Sequence, residues 1–287
     1  MATFFGPMFI DPPTAPPRPY GLFDVALGPM PFPVEAAVGG GVQYIPDTCE
    51  NNVYLYDMAC PAVSGSKTFD VLDTSISGSP FAVITSFLCG SVGISMEEVR
   101  QRVMTRMQLH EQRAVERRVW QGQTLAQGQG AMTGLFRNAT NVGPAGCVTE
   151  AVELLEQALA DNGIVGGMIH ARPGMAAHLE QAHQIQYANN GRRLQTCLGT
   201  PYVFGQGYDG SGPTGQPADG STEWMYASGR VLVWQDTEIA VPNLDQVFRR
   251  SSNERIALAE RVYAVVVECG VWTTQVTRTC TTTGVPT

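Results

Sequence analysis

The sequence predicts an α+β fold from three observations: one long charged helix, strand-rich stretches before it and near the C-terminus, and a β/α alternation in between. The helix opens at Ser95-Met96-Glu97-Glu98, where Ser95 and Glu98 form a capping box and Ile94 can staple onto Val99. Apolar or small residues recur at Met96, Val99, Val103, Met107, Ala114 and Val115. Arg100, Arg102, Arg106, Arg113, Arg117 and Arg118 alternate with Glu97, Glu98, Glu111 and Glu116, giving one narrow buried stripe on a charged rod. No breaker intervenes before Gly122, so the rod runs about 26 residues, roughly 39 Å at a rise of about 1.5 Å per residue. Such a helix serves as a spine.

Residues 1–41 hold nine of the nineteen prolines, a composition that favours extension without internal hydrogen bonds. The same segment carries Phe4, Phe5, Phe9, Tyr20, Leu22, Phe23, Phe32 and Val34, too many anchors for a solvated linker. It reads as an arm that lies along neighbouring subunits. From 42 to 90 the chain reads as β, with Val53 to Tyr56 and Pro80 to Phe87 as strands and turns near Ser64-Gly65-Ser66-Lys67 and Ser75 to Ser79. A lone hairpin of this kind is marginal and needs a neighbour to rest on.

After the spine, a second amphipathic helix begins at Val148-Thr149-Glu150, with Thr149 as its expected cap and Val152, Leu155 and Leu159 inward. Ile164 to His170 reads as a buried strand, Pro173 to Gln184 as a helix, and Tyr202 to Gly205 as a further strand. The Gly/Pro-rich stretch 206–220 reads as a surface loop. Trp224 to Thr277 is strand-rich, clearest at Arg230 to Trp234 and Arg261 to Val267, and is expected to pack under the spine. The chain therefore divides into 1–41, arm; 42–90, extended loop; 91–147, spine and the stretch after it; 148–221, β/α lobe; 222–287, strand-rich part and tail.

Only 15% of residues are charged while 44% are hydrophobic, against about 25% charged in an average soluble chain, so much of the surface is expected to face other protein. A net charge of -8 argues against a surface that grips nucleic-acid phosphates along its length. There is one lysine, Lys67. The seven cysteines, at 49, 60, 89, 147, 197, 269 and 280, lack zinc-knuckle spacing and fit free thiols in a reducing cytoplasm, with a Cys49–Cys60 bridge as the alternative. The first residues lack a signal-like pattern and no apolar run reaches membrane-spanning length, so a soluble cytoplasmic product is expected.

No catalytic motif stands out. Gly205 to Gly210 matches a dinucleotide-loop pattern in letters, but Ser211-Gly212-Pro213 breaks the chain where a helix must follow. His178 and His183 are five apart, not at the spacing of a helical metal pair, and His110 and His170 read as surface or core. No cofactor and no metal site is expected, and an enzyme is the losing hypothesis.

The phrase from Glu111 through Ala114-Val115-Glu116 to Val119-Trp120, then Met132-Thr133-Gly134-Leu135, resembles the spine of tailed-phage major capsid proteins and encapsulins, the Hong Kong 97-type shell fold. Gly167 to Ala171, Met175 to Leu179, Leu198 to Val203, Trp224 to Gly229 and Arg255 to Tyr263 follow in the family's order, covering about residues 18–277. The resemblance implies a non-enzymatic head subunit, with 148–221 as the axial lobe and 91–147 and 222–287 as the peripheral part, assembling as hexamers and pentamers into an icosahedral virion shell around double-stranded DNA. It implies contact with DNA only loosely and with scaffold, portal or decoration proteins. The alternatives are an encapsulin-type compartment subunit or another non-enzymatic virion component. The arm and the Pro17 to Leu22 phrase favour a phage, and the arginine-for-lysine bias points to a GC-rich, actinobacterial host. The expected subunit contacts are Phe4, Phe5, Phe9, Tyr20 and Phe23 on the arm and Arg117 and Arg118 on the spine. Some relatives crosslink a loop lysine to a neighbour's asparagine, which would use Lys67 with Asn243 or Asn253. If the 206–220 loop lines a capsomer axis, Asp209 and Asp219 form a carboxylate ring.

Overall fold

The computed structural model describes residues 19–33, 35–36, 40–46, 49, 75–90, 95–124, 131–191, 193–242, 248–249 and 254–278. After a short helix α1 (Leu22–Val25) come β1 (Leu27–Pro31), β2 (Val42–Tyr44), β3 (Ile76–Gly78) and β4 (Pro80–Gly90). The spine is α2 (Met96–Trp120), followed by β5 (Gly122–Thr124), β6 (Ala131–Thr133) and β7 (Thr140–Ala145). Next are α3 (Val148–Asp161), β8 (Met168–Ala171), α4 (Met175–Gln181), β9 (Gln186–Ala188), β10 (Arg193–Gln195) and β11 (Tyr202–Phe204). The chain closes with β12 (Thr222–Ser228), β13 (Val231–Gln235), β14 (Phe248–Arg249), β15 (Glu254–Val267) and β16 (Val271–Thr277).

The capping box forms as expected: the Glu98 amide donates to Ser95 Oγ at 3.2 Å and the Ser95 amide to the Glu98 carboxylate at 2.6 Å. Ile94, the expected staple, lies outside the described residues. The helix lies across a five-stranded sheet in which β15 is central. β4 pairs antiparallel with it from Gly90↔Glu254 to Pro80↔Ala264, and β13 pairs antiparallel from Val231↔Val267 to Gln235↔Tyr263. β1 adds to β13 in parallel and β14 to β15. The period of two along β15 puts Ala257, Ala259 and Tyr263 toward the helix, and the two alanines let Val99, Val103 and Met107 approach closely.

A second five-stranded sheet, ordered β11-β8-β12-β16-β7, packs against α3 through Leu155, Leu159, Ile169, Met225 and Trp272. β12 and β16 pair along seven residues, Thr222↔Thr277 to Ser228↔Val271. β12 and β16 belong to the same sheet as β8 and β11, because hydrogen bonding across the sheet joins residues far apart in sequence. Two of the passages between the sheets are short crossings, at 229–230 and at 268–270, and these bond to each other, Glu268 N–H to Arg230 O at 2.9 Å and Gly229 N–H to Gly270 O at 3.3 Å.

Other boundaries also shift. β8 starts at Met168 because residues 164–167 turn through Gly166 at φ +76°. α4 is Met175–Gln181, shorter than the predicted span, and ends before His183 at φ 55°. The N-cap of α3 is Cys147, not Thr149; Glu150 instead accepts the Gly146 amide at 2.6 Å, satisfying a donor ahead of the first turn. Cys49 and Cys269 are joined in a disulfide across 220 residues, and Cys147 is also disulfide-bonded, which corrects the expectation of free thiols. The Val53 to Tyr56 strand lies outside the described residues.

Two glutamates on the spine are buried rather than on its charged exterior. Glu111 accepts the Tyr263 hydroxyl at 2.7 Å and Arg261 Nη1 at 3.1 Å, fixing the helix to β15. Glu116 accepts the Leu22 amide through Oε1 at 2.9 Å, Gln112 Nε2 through the same oxygen at 2.9 Å, and the Gly207 amide through Oε2 at 2.9 Å. Burial raises its pKa, and these hydrogen bonds oppose the rise. Glycine is required at the strap, where a Cβ at Gly207 would stand 2.5 Å from the Arg117 nitrogen; one at Gly21 would displace the Gln112 amide from this network. Trp120 completes the seam, stacking on Tyr208 at 4.5 Å and donating Nε1–H to Ser211 O at 3.1 Å.

His170 on β8 is wholly buried between Phe136, Tyr208 and Ser228. Ser228 donates its proton to Gly229 O at 2.8 Å, so its oxygen accepts from His170 Nε2–H at 2.8 Å, and Nδ1 accepts the Tyr208 hydroxyl at 3.1 Å. This neutral tautomer is satisfied on both nitrogens, and burial pushes the pKa down to about 3. The unfolded chain then binds a proton that the folded one refuses. Stability tied to this group is full above the ordinary value of 6.5 and is lost as pH falls toward 3. A pH series of urea denaturation should show wild type losing stability relative to His170→Gln below pH about 6.5. Glu116→Ala should cost about 3 kcal/mol at neutral pH in the same measurement, because two buried amides lose their acceptor.

Candidate assembly surfaces

The expected contact residues fall into three groups. Phe4, Phe5, Phe9 and Lys67 lie outside the described residues, as do Asn243 and Asn253. Tyr20 and Phe23, expected on a neighbour, engage their own chain. Tyr20 donates its hydroxyl to Gly191 O at 2.7 Å and accepts the Phe204 amide on its carbonyl at 2.8 Å, extending the edge of β11. Phe23 stacks on Tyr263 at 6.0 Å. Leu22 between them is fully buried.

On the spine, Arg117 and Arg118 diverge. Arg118 is partly buried, its guanidinium over the Phe81 ring at 5.6 Å, where burial lowers its pKa. Arg117 is exposed. With Arg106, His110 and Arg113 it forms an exposed basic row at three- and four-residue spacing. Glu116, three residues from Arg113, turns inward to backbone amides.

The 206–220 segment is only half a surface loop. Gly207, Tyr208, Gly210, Ser211 and Gly212 are buried as a strap over the spine and β12, with Tyr226 donating its hydroxyl to Ser211 O at 3.0 Å. Exposure is general only from Thr214 to Gly220 apart from the half-buried Ala218. Asp209 and Asp219 both serve local turns. Asp209 accepts the Ser211 amide and hydroxyl at 3.0 and 2.7 Å, and Asp219 accepts the Ser221 and Thr222 amides at 2.7 and 2.6 Å, which hold its carboxyl well below the usual range.

Two apolar surfaces escaped the sequence reading. On the face of β4 away from the helix, Ile84 and Leu88 are 58% and 51% exposed, opposite Glu260 and Ile256 of β15. On the second lobe Val165, Tyr187 and Leu198 protrude, Leu198 at 76% exposure. Its turn is rigid: Glu156 accepts the Thr196 and Thr200 hydroxyls at 2.5 and 2.9 Å, and Thr196 Oγ1 accepts the Leu198 and Thr200 amides at 3.3 and 3.2 Å. The lack of alternation in β4 was the available signal for the first surface: the strand is apolar at both parities, as a strand covered on both faces would be.

Among the described residues there is no cluster of His, Cys, Asp or Glu able to hold a metal ion. The architecture, a 25-residue helix laid over one mixed sheet with a second sheet-and-helix lobe beside it, is that of solved shell proteins. The capsid of the native GTA particle superposes with a TM-score of 0.55 at 11% identity, over 93% of this chain and 95% of that one. A structure from Microbacterium phage Oxtober96 does so at 0.52 and 11%, over 96% of each chain. The capsid of Ralstonia phage GP4 does so at 0.50 and 11%, over 96% and 95%. No family model and no curated protein matches the sequence. The chain has the Hong Kong 97-type capsid fold.

The two arginines make distinct expectations. Arg117→Glu should leave the melting of the isolated subunit unchanged while suppressing assembly in light scattering. Arg118→Glu should lower the melting midpoint, because it takes the cation from the Phe81 ring and brings a carboxylate into its place.

Proposed function

We propose that the chain is the shell-forming subunit of a phage-type capsid, associating with copies of itself in hexamers and pentamers to enclose double-stranded DNA. The observation that carries this reading is coverage: 93–96% of the chain is aligned with capsid or phage structures, and 95–96% of those chains is used in return. Supporting features are the exposed basic row on the spine, the apolar rows at Ile84 and Leu88 and the rigid Leu198 turn, each suited to burial against another copy.

The acidic balance of -8 fits an enclosed nucleic acid held by confinement rather than by tight surface contact. The arm ahead of residue 19, with Phe4, Phe5 and Phe9, is the segment proposed to reach a neighbour. Each buried aromatic there would contribute about 1.5–3 kcal/mol before ordering costs.

Negative-stain microscopy of the expressed chain should show closed polyhedral particles. A deletion confined to residues 2–18 should keep the subunit fold, since Gly21, Leu22 and Tyr20 remain, and should reduce particle yield and heat resistance. Monodisperse monomer under all conditions tried would overturn the proposal. Wild-type particles after the deletion would remove the arm from it.

A further inference from the structure

The Cys49–Cys269 disulfide lies where the chain crosses between the two sheets. Glu268, fully buried in the β15–β16 crossing, accepts Arg230 Nε at 2.7 Å and Nη2 at 3.2 Å from the β12–β13 crossing. The Tyr44 hydroxyl, at the end of β2, donates to the same carboxylate at 2.8 Å, and the Tyr44 ring meets Trp234 edge-on at 6.1 Å. Five residues beyond Tyr44, Cys49 is bonded to Cys269, the neighbour of Glu268, with the two Cα atoms 4.5 Å apart. The root of the extended loop is thus attached to the inter-sheet junction by a phenol–carboxylate hydrogen bond, a ring contact and a covalent bond. The first two do not depend on oxidation state and the third does.

We infer that Cys49 and Cys269 form an oxidative modification site, a clasp that is open as a dithiol when the chain is made in a reducing compartment and closes on exposure to a small-molecule disulfide. One cysteine thiolate attacks the small disulfide and releases one of its halves as a thiol. The second thiolate then attacks the resulting mixed disulfide and releases the other half. The two cysteines together lose two protons and two electrons, and both pairs end on the two small thiols. The Tyr44–Glu268–Arg230 contacts hold the partners together before the bond forms, because Tyr44 is only five residues from Cys49 and Glu268 is next to Cys269. Closing the clasp fixes the loop root to both crossings at once and stiffens the junction between the sheets. The geometry is within one chain and does not rest on the shell reading.

The test incubates the full-length chain in glutathione buffers of rising oxidised-to-reduced ratio, traps thiols by alkylation, and reads linked peptides by mass spectrometry together with the thermal midpoint. A Cys49–Cys269 peptide should appear as the ratio rises, and the oxidised midpoint should exceed the reduced one by several degrees, up to about 10 °C for a loop this long. Because Cys147 is also in a disulfide, Cys49→Ser and Cys269→Ser isolate the clasp: each should remove most of the oxidation-dependent gain, while Cys197→Ser, at an exposed free thiol, should keep it. Tyr44→Phe should raise the ratio needed for half-closure several-fold. A Cys49–Cys60 peptide in place of Cys49–Cys269, or an oxidation-dependent gain undiminished in Cys49→Ser and Cys269→Ser, would overturn the inference and leave the proposed shell function untouched.

Discussion

The fold turns on one buried carboxylate. Glu116 sits on the spine where three segments distant in sequence converge: the end of the arm at Gly21 and Leu22, the strap at Gly207, and the helix itself. Each brings a donor that has no strand partner, and one side chain accepts from all of them. A charge this deep is costly alone; it persists because its oxygens are occupied and because the two backbones that reach it carry no side chain at the point of contact. Glu111, five residues earlier, plays the corresponding part toward β15 through Tyr263 and Arg261. The spine therefore organises both lobes through its polar residues as much as through its apolar stripe.

Much of the architecture was legible in the chain itself. The spine could be placed because its signals are local: a capping box at one end, a four-residue recurrence through Val99, Val103 and Met107, and Gly122 at the other. That same recurrence reaches Glu111 and then Val115, so the burial of Glu111 was present in the pattern and hidden by its formal charge. Gly207 misled in the opposite sense. Glycine and proline in 206–220 read as a loose surface excursion, yet here glycine permits close approach to a helix backbone.

What was not legible is non-local. β12 belongs with β8 and β16 by hydrogen bonding that no local pattern encodes. The Cys49–Cys269 pair is invisible to spacing for the same reason. Among the expected contact residues, Tyr20 and Phe23 are aromatic anchors as read, but sequence could not say whose surface they anchor to, and both pack on their own chain. Arg117 and Arg118, adjacent in sequence, point to different environments because successive helical residues are about 100° apart.

The order of strands also sets a timetable. β15 is the central strand of one sheet, and β16 joins β12 to β7 in the other, so neither sheet can close until residues 254–277 exist. Neither hydrophobic layer therefore has its lid until those residues are in place, and the pairing of Glu111 with Tyr263 waits for them. Until then the apolar strands that precede them stay uncovered, which makes the interval before closure the period in which the chain is most exposed to aggregation.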